Sequence, residues 1–361
     1  MIDAGSVRLR PWREDDLEDL VTACNDPLIK RFLPMLPSPY TRGDAESFVR
    51  GQVPHGVEAG GHYLAIADPV TDRLLGALGI SYTADATGDI GYWVAPWARR
   101  RGAATAATRA LSGYAFTHGF SRLSLRTEAE NLASQRVALA SGYAREGILR
   151  GGGRRPDGQR HDLILWARLA GDPPAPTLRS LPDLPGGELT DGAVALRPLC
   201  PDDVDDMFAL YGLSEVIAGS VPPTAPTRPA MIGYCGRAGS RWLAGERVPL
   251  TVRDAPTGAF AGEITLMYTE PSTGQAMIGY SLAREWRGRG FARRAVRLLT
   301  EWAFSATPVR RVIAGTTPEN LASQRVLQAC GFEREGYQRA RLPGLNGTRT
   351  DDILYALLPP K

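Results

Sequence analysis

A chain of 361 residues, 43% of them hydrophobic, is long enough for two ordinary domains that each bury a core. Its 42 basic and 39 acidic residues leave a net charge of only +3, so charge alone gives no case for nucleic acid as a partner. Cys24, Cys200, Cys235 and Cys330 form no C-x-x-C pair, no signal-like start is visible and no apolar stretch approaches a membrane span; a cytoplasmic protein without disulfides or bound metal is expected, as a monomer or homodimer. The predicted elements begin with a strand at residues 7–10, then an acidic helix start at Glu14, Asp15 and Asp16, where carboxylates suit the positive end of the helix dipole. A Pro-rich loop at 34–39, strands at 62–67 and 75–80, and a strand through Gly91 and Tyr92 follow. An Arg- and Gly-rich turn then leads into an Ala-rich helix over 103–118, a strand at 123–126, a helix from Leu132 and a last hairpin.

After a Pro- and Gly-rich stretch the same order returns. Strands are predicted at 194–197, 249–252 and 261–266, with an acidic start at Asp202 and Asp203 and a Pro-rich loop at 222–229. A strand through Gly279 and Tyr280, a second Arg/Gly turn, a helix over 291–305, a strand at 311–314 and a closing hairpin complete the series. The block Glu130-Asn131-Leu132-Ala133-Ser134-Gln135-Arg136-Val137 recurs letter for letter from Glu319 to Val326. Leu9-Arg10-Pro11, Gly91-Tyr92 and Arg145-Glu146-Gly147 recur in the same order as Leu196-Arg197-Pro198, Gly279-Tyr280 and Arg334-Glu335-Gly336. This is a tandem duplication, read as a first domain over 1–170, an extended solvated linker over 171–188 and a second domain over 189–361. Strands and helices mixed in this way predict an α/β fold with a mixed sheet flanked by helices in each half.

The two turns align as R-x-R-G-x-A: Arg99-Arg100-Arg101-Gly102-Ala103-Ala104 and Arg287-Gly288-Arg289-Gly290-Phe291-Ala292. A helix N-terminus offers unpaired amides and partial positive charge, glycine admits a ligand close to the backbone, and arginine adds charge-assisted hydrogen bonds. A pyrophosphate suits that chemistry; an exposed arginine-rich turn that binds nothing is the competing reading. A dinucleotide fingerprint does not fit, because the first copy has Arg100 in place of the leading glycine. Asn131 and Ser134, with Asn320 and Ser323, stand where a strand meets a helix, which suits simple N-capping.

The ordered set of motifs, present twice, resembles the GCN5-related N-acetyltransferase (GNAT) superfamily, in its RimJ/RimL-like branch. The resemblance implies a mostly antiparallel mixed sheet splayed into a V-shaped cleft, acetyl-CoA as the acyl donor, and direct transfer to an amine-bearing acceptor. It implies that backbone groups of Trp93 and Val94, and of Ser281 and Leu282, hold the pantetheine arm, with Asn131 and Asn320 also in contact. The amides of residues 100–104 and 288–292 would cradle the pyrophosphate, and Ser134 and Ser323 would be general acids for the departing thiolate. A protein N-terminus or a small amine metabolite or antibiotic would be the acceptor, without nucleic acid or membrane. Asp89 precedes the Gly-Tyr strand where the second copy has Met277, and Glu263 stands where the first has Ala77. Each is a candidate proton acceptor, against a plain strand or edge position. The alternatives within this scheme are a single catalytic domain with a structural twin, and a non-catalytic acyl-CoA sensor.

Overall fold

The repetition in sequence is repeated in space. The computed structural model describes residues 1–360 and divides into two compact units, Met1–Leu178 and a second from Arg179 onward. The first unit comprises β1 (Ile2–Asp3), β2 (Arg8–Arg10), α1 (Leu17–Cys24), α2 (Pro27–Phe32), α3 (Arg42–Ser47), α4 (Val53–Glu58), β3 (His62–Ala67), β4 (Leu74–Tyr82), β5 (Thr87–Val94), α5 (Ala103–Thr117), β6 (Arg122–Thr127), α6 (Leu132–Ala140), β7 (Ala144–Arg154) and β8 (Arg160–Leu169). The second comprises β9 (Leu189–Thr190), β10 (Val194–Pro198), α7 (Val204–Tyr211), α8 (Ser214–Gly219), α9 (Arg228–Leu243), β11 (Arg247–Asp254), β12 (Phe260–Glu270), β13 (Gln275–Leu282), α10 (Phe291–Ala306), β14 (Arg311–Thr316), α11 (Leu321–Ala329), β15 (Glu333–Pro343) and β16 (Arg349–Leu357). Each unit has one eight-stranded sheet, ordered β1-β2-β3-β4-β5-β6-β8-β7 in the first and β9-β10-β11-β12-β13-β14-β16-β15 in the second.

Every pairing is antiparallel except one per unit, β5 with β6 and β13 with β14. Those parallel ladders are short. β5 matches β6 only from Thr87–Arg122 to Ile90–Leu125, and β13 matches β14 only from Gln275–Arg311 to Met277–Ile313. Beyond them β6 and β14 stay paired with β8 and β16, while β5 and β13 stay paired with β4 and β12. Among the described residues, Gly91–Val94 and Ile278–Leu282 therefore have no strand on their other side, and the sheet opens there into a V.

The helices lie on the sheet because of their spacing. Ala103, Ala107, Leu111 and Ala115 recur every fourth residue along α5 and are all buried; Phe291, Ala295, Leu299 and Ala303 do the same along α10. Strand alternation sorts the other side chains. In the second unit Ile278, Val312, Ala314, Ile353 and Tyr355 share the core with α10, which leaves Met277, Gly279, Gly315 and Asp352 on the opposite face. In the first unit Trp93 packs on that opposite face, against the cluster of Leu17, Leu20, Tyr40 and Ala45.

Two stretches differ from the sequence reading. The Pro-rich loop at 222–229 ends early, because Arg228 and Pro229 open the sixteen-residue α9 behind an N-cap at Thr227, whose Oγ1 accepts from the Ala230 amide at 3.3 Å. Proline fits the first turn of a helix, where its missing N–H removes no bond. The stretch 171–188 is not solvated throughout. Thr177 bonds to Leu139 O through its amide (2.8 Å) and to Tyr143 O through its hydroxyl (2.9 Å). Leu181 and Leu184 are buried in the second core, and the Trp242 indole N–H donates to the carbonyls of Leu181 and Pro182, both at 3.1 Å. Leu181→Ala should therefore cost the second unit about 2–5 kcal/mol, read by chemical denaturation of the full chain. A loss below about 0.5 kcal/mol, the scale of an ordinary surface change, would show that this stretch only tethers.

Candidate active sites

The turn before each long helix is built from left-handed backbone. Gly102 (φ 77°) and Gly290 (φ 81°) are the N-caps of α5 and α10, and neither helix has a side-chain cap on its first amides. A Cβ added at either glycine would meet nothing within 4 Å, so each turn is open at that residue. Two residues earlier the backbone is left-handed again, at Arg100 (φ 61°) and Gly288 (φ 74°). The two copies share that conformation although only the second has the residue that adopts it without strain. The arginines divide by role. Arg99 is tied to Asp26, the N-cap of α2, and Arg287 to Glu215 of α8 at 2.9 Å, where Arg284 joins it at 2.7 Å. Arg101 is exposed, and Arg289 lies over the Trp286 ring at 5.2 Å. The motif's first arginine thus braces the turn, and its third faces outward.

At the open arm of the V, a hydroxyl pair recurs. Tyr92 Oη lies 2.7 Å from Ser134 Oγ, and Tyr280 Oη lies 2.9 Å from Ser323 Oγ. Asn131 and Asn320 cap the helices behind, each Oδ1 accepting from the serine amide at 3.1 Å. Capping is therefore real for the asparagine oxygens, while each serine hydroxyl is engaged with tyrosine. Burial holds the Tyr92 phenol well above the ordinary tyrosine range and pushes Tyr280 up to about 12, against the hydrogen bonds of their serines. Both phenols keep their protons at neutral pH. The tyrosines were visible only as part of the repeated Gly-Tyr pair, and their recurrence was the signal for a role.

The two candidate carboxylates each have partners of their own. Asp89 sits in the closed stem, opposite Ser124 in the β5–β6 ladder, and is ion-paired with Arg126. Glu263, 3% exposed, accepts from the hydroxyls of Tyr211 of α7, Tyr234 of α9 (2.8 Å) and Thr265 (2.6 Å). Its strand partner is Ser281, whereas in the first unit Ala77 faces Trp93. One copy fills this space with an indole and the other with a carboxylate and its donors.

The last hairpins repeat a structural device. Asp162 Oδ1 accepts from the Gly151 amide (2.8 Å) and Asp351 Oδ1 from the Ala340 amide (2.6 Å), each inside a register shift of the hairpin and at a left-handed residue. Trp166 and Tyr355 are core residues, with the Trp166 indole donating to Thr127 Oγ1 at 3.0 Å. A cluster that sequence reading missed gathers on Glu128, which receives Arg31 of α2 (3.0 Å), Arg155 (2.9 Å) and His161 (3.3 Å). Thr317 and Thr350 hold the matching places of Glu128 and His161 in the second unit. Among the described residues no His, Cys, Asp or Glu group could hold a metal ion, and no helix is long and apolar enough to cross a membrane.

Residues 6–144 and 194–333 each match the family model described as acetyltransferase (GNAT) domain. The chain is 40% identical over 85 residues to the probable N-acetyltransferase YjcK of Bacillus subtilis (strain 168), covering 24% of this chain and 46% of that protein. It is 31% identical over 83 residues to the ribosomal protein uS5-alanine N-acetyltransferase of Escherichia coli (strain K12), covering 23% of this chain and 42% of that protein. The chain spans about half the length of the curated relatives it matches. Among solved structures it is similar to Mycobacterium smegmatis RimJ in complex with CoA-disulfide, at 24% identity and a TM-score of 0.43, covering 48% of this chain and 86% of that one.

The buried phenols predict an alkaline limit to stability. Burial raises Tyr92, Tyr211, Tyr234 and Tyr280, and the Glu263 charge raises Tyr211 and Tyr234 further. Unfolded tyrosine ionises near 10, below these folded values, so the contribution is complete below about pH 10 and is lost as pH rises through the folded values. Thermal melts should show a level Tm from neutral pH to about 10 and a steep fall above it. A Tm unchanged up to about pH 12 would mean that these phenols ionise in place.

Proposed function

The chain belongs to the acetyltransferase (GNAT) family in both of its halves, and on that premise we propose that it is an acetyl-CoA-dependent N-acetyltransferase with two sites, acting on primary amines. The observation that carries this reading is the same trio in both copies. Each has a left-handed glycine before uncapped amides, an open strand edge in the V, and a Tyr–Ser hydroxyl pair beside that edge.

The fit to acetyl-CoA is tested by the space at the turns. The amides that open α5 and α10 have no side-chain cap and suit a pyrophosphate, and each turn is open at its glycine. Arg101 and Arg289 add positive charge; Arg99 and Arg287 act through the turn they brace. The open strand edge at Trp93 and Val94, and at Ser281 and Leu282, would pair with the amides of a pantetheine arm as an added strand would, although the Leu282 carbonyl already accepts from Arg287 Nε at 3.0 Å. When bound, acetyl-CoA supplies an activated thioester. Ser134 with Tyr92, and Ser323 with Tyr280, then place a proton where the thiolate departs.

The acceptor is a protein N-terminus or a small amine. The E. coli relative's name, which specifies an alanine of ribosomal protein uS5, favours the first. A second reading, in which only one half turns over, is favoured by the differences at the acceptor ends: Glu128 and His161 against Thr317 and Thr350, and Trp93 against Ser281. Calorimetric titration should give two acetyl-CoA per chain, and Gly102→Leu or Gly290→Leu should each remove one. Ser134→Ala with Ser323→Ala should slow CoA release by about 10²-fold with acetyl-CoA affinity unchanged. No bound acetyl-CoA, or a wild-type rate in the double serine variant, would defeat the assignment.

A further inference from the structure

We propose that Asp352 is the proton acceptor for the incoming amine in the second unit; this rests on the acetyltransferase reading above. Asp352 is 1% exposed, on the strand that flanks the open arm. One carboxylate oxygen, Oδ2, takes a hydrogen bond from Arg341 at 3.1 Å; the other, Oδ1, is buried with no hydrogen-bond partner. A buried carboxylate oxygen without a donor carries an uncompensated desolvation cost, and an amine N–H supplies the missing donor.

Position gives the group its direction. The carboxylate lies against Gly315, where an added Cβ would come within 2.7 Å of Oδ1. Gly315 is two residues past Ile313, the last residue of β14 that pairs with β13, so Asp352 sits just inside the V. Tyr280 and Ser323 belong to the α10 and α11 face, whereas Asp352 is on the opposite one. A thioester threaded between the arms thus has a proton donor on one face and a proton acceptor on the other.

The first unit shows the same throat filled differently. Arg126 stands where Gly315 does, Leu163 where Asp352 does and Asp89 where Met277 does, and Arg126 pairs with Asp89 across the diverging strands. The second copy has Met277 and Gly315 in place of that pair and carries the Asp352 carboxylate of β16 against Gly315. Glu263, the carboxylate the sequence singled out, has both oxygens occupied by Tyr211, Tyr234 and Thr265.

The charged and polar groups facing Asp352 are Arg341 of β15 and the Thr316 amide of β14; burial raises its proton affinity and outweighs both. The neighbouring Asp351 is turned to Tyr337 and the Ala340 amide. In the step, Asp352 takes the proton that the amine nitrogen loses as the C–N bond forms. The Ser323–Tyr280 pair gives a proton to sulfur as the C–S bond breaks. Asp352 then releases its proton to solvent and the hydroxyl pair regains one, leaving amide and free thiol.

The experiment uses the full chain carrying Gly102→Leu, which confines turnover to the second unit, with acetyl-CoA and a short peptide bearing a free N-terminus. Asp352→Asn should lower kcat by about 10²-fold and abolish the acidic limb of the kcat profile, with Tm and acetyl-CoA affinity unchanged; Asp352→Glu should restore part of the rate. A wild-type rate and pH profile in Asp352→Asn would overturn the proposal. So would recovery of the rate when Arg341→Gln is added, since Asp352 would then serve only to neutralise that arginine. If the Gly102→Leu parent binds acetyl-CoA yet acetylates no amine, the acetyltransferase reading of this unit fails, and Asp352 loses its role with it.

Discussion

Two strands that part in the middle of a sheet leave the backbone groups on their facing edges without a strand to pair with, and such groups need another partner. Each unit accepts that condition once, where β5 leaves β6 and β13 leaves β14. The rest of each site follows from it. The open edge is a place for an extended polar chain, the parting strands make a cleft with two faces, and the next helix begins beside the cleft with its own unpartnered amides. A molecule with an amide-bearing arm and an anionic end would satisfy both kinds of group together.

The copies keep the turn, the asparagine cap and the hydroxyl pair and change the face across the cleft. The left-handed turn, the asparagine cap and the Tyr–Ser pair agree to within a few tenths of an ångström in their hydrogen bonds. The face across the cleft does not agree at all. The first unit has an Asp89–Arg126 pair, the Trp93 indole and a carboxylate, Glu128, shared by two arginines and a histidine. The second has a tyrosine-bound Glu263 and the half-satisfied Asp352. Even the opening Leu-Arg-Pro motif diverges. Arg10 is buried in a bidentate pair with Asp16, but Arg197 is turned to Glu188, and Asp203 takes Arg253 instead.

Much of this was legible in the chain, and the boundary of legibility has physical causes. Turn positions could be read because positive φ is a local demand that glycine answers, and the strands because alternation is local too. α9 was missed although Met231, Cys235, Ala238 and Trp242 keep helical spacing, since the prolines before it suggested a loop. Glu263 looked free because its donors, Tyr211 and Tyr234, are remote in sequence and meet it only once α7 and α9 lie on the sheet. Arg99 and Arg287 looked like ligands for the same reason, their carboxylates being supplied by other helices. Asp352 escaped for a different one: a search guided by recurrence favours what both copies share, and this carboxylate has only a leucine for its counterpart.

The docking of Leu181 and Leu184 beneath Trp242 separates the unit that was copied from the unit that folds. Homology between the halves begins near the β10 strand, but the hydrophobic interior of the second half begins earlier, in residues without a matching role in the first. An excised second half must therefore start at the stretch before Leu181 to be a whole protein. One begun at the edge of the repeat would present bare indole and aliphatic surface to water, and its insolubility would say nothing about whether that half can work alone.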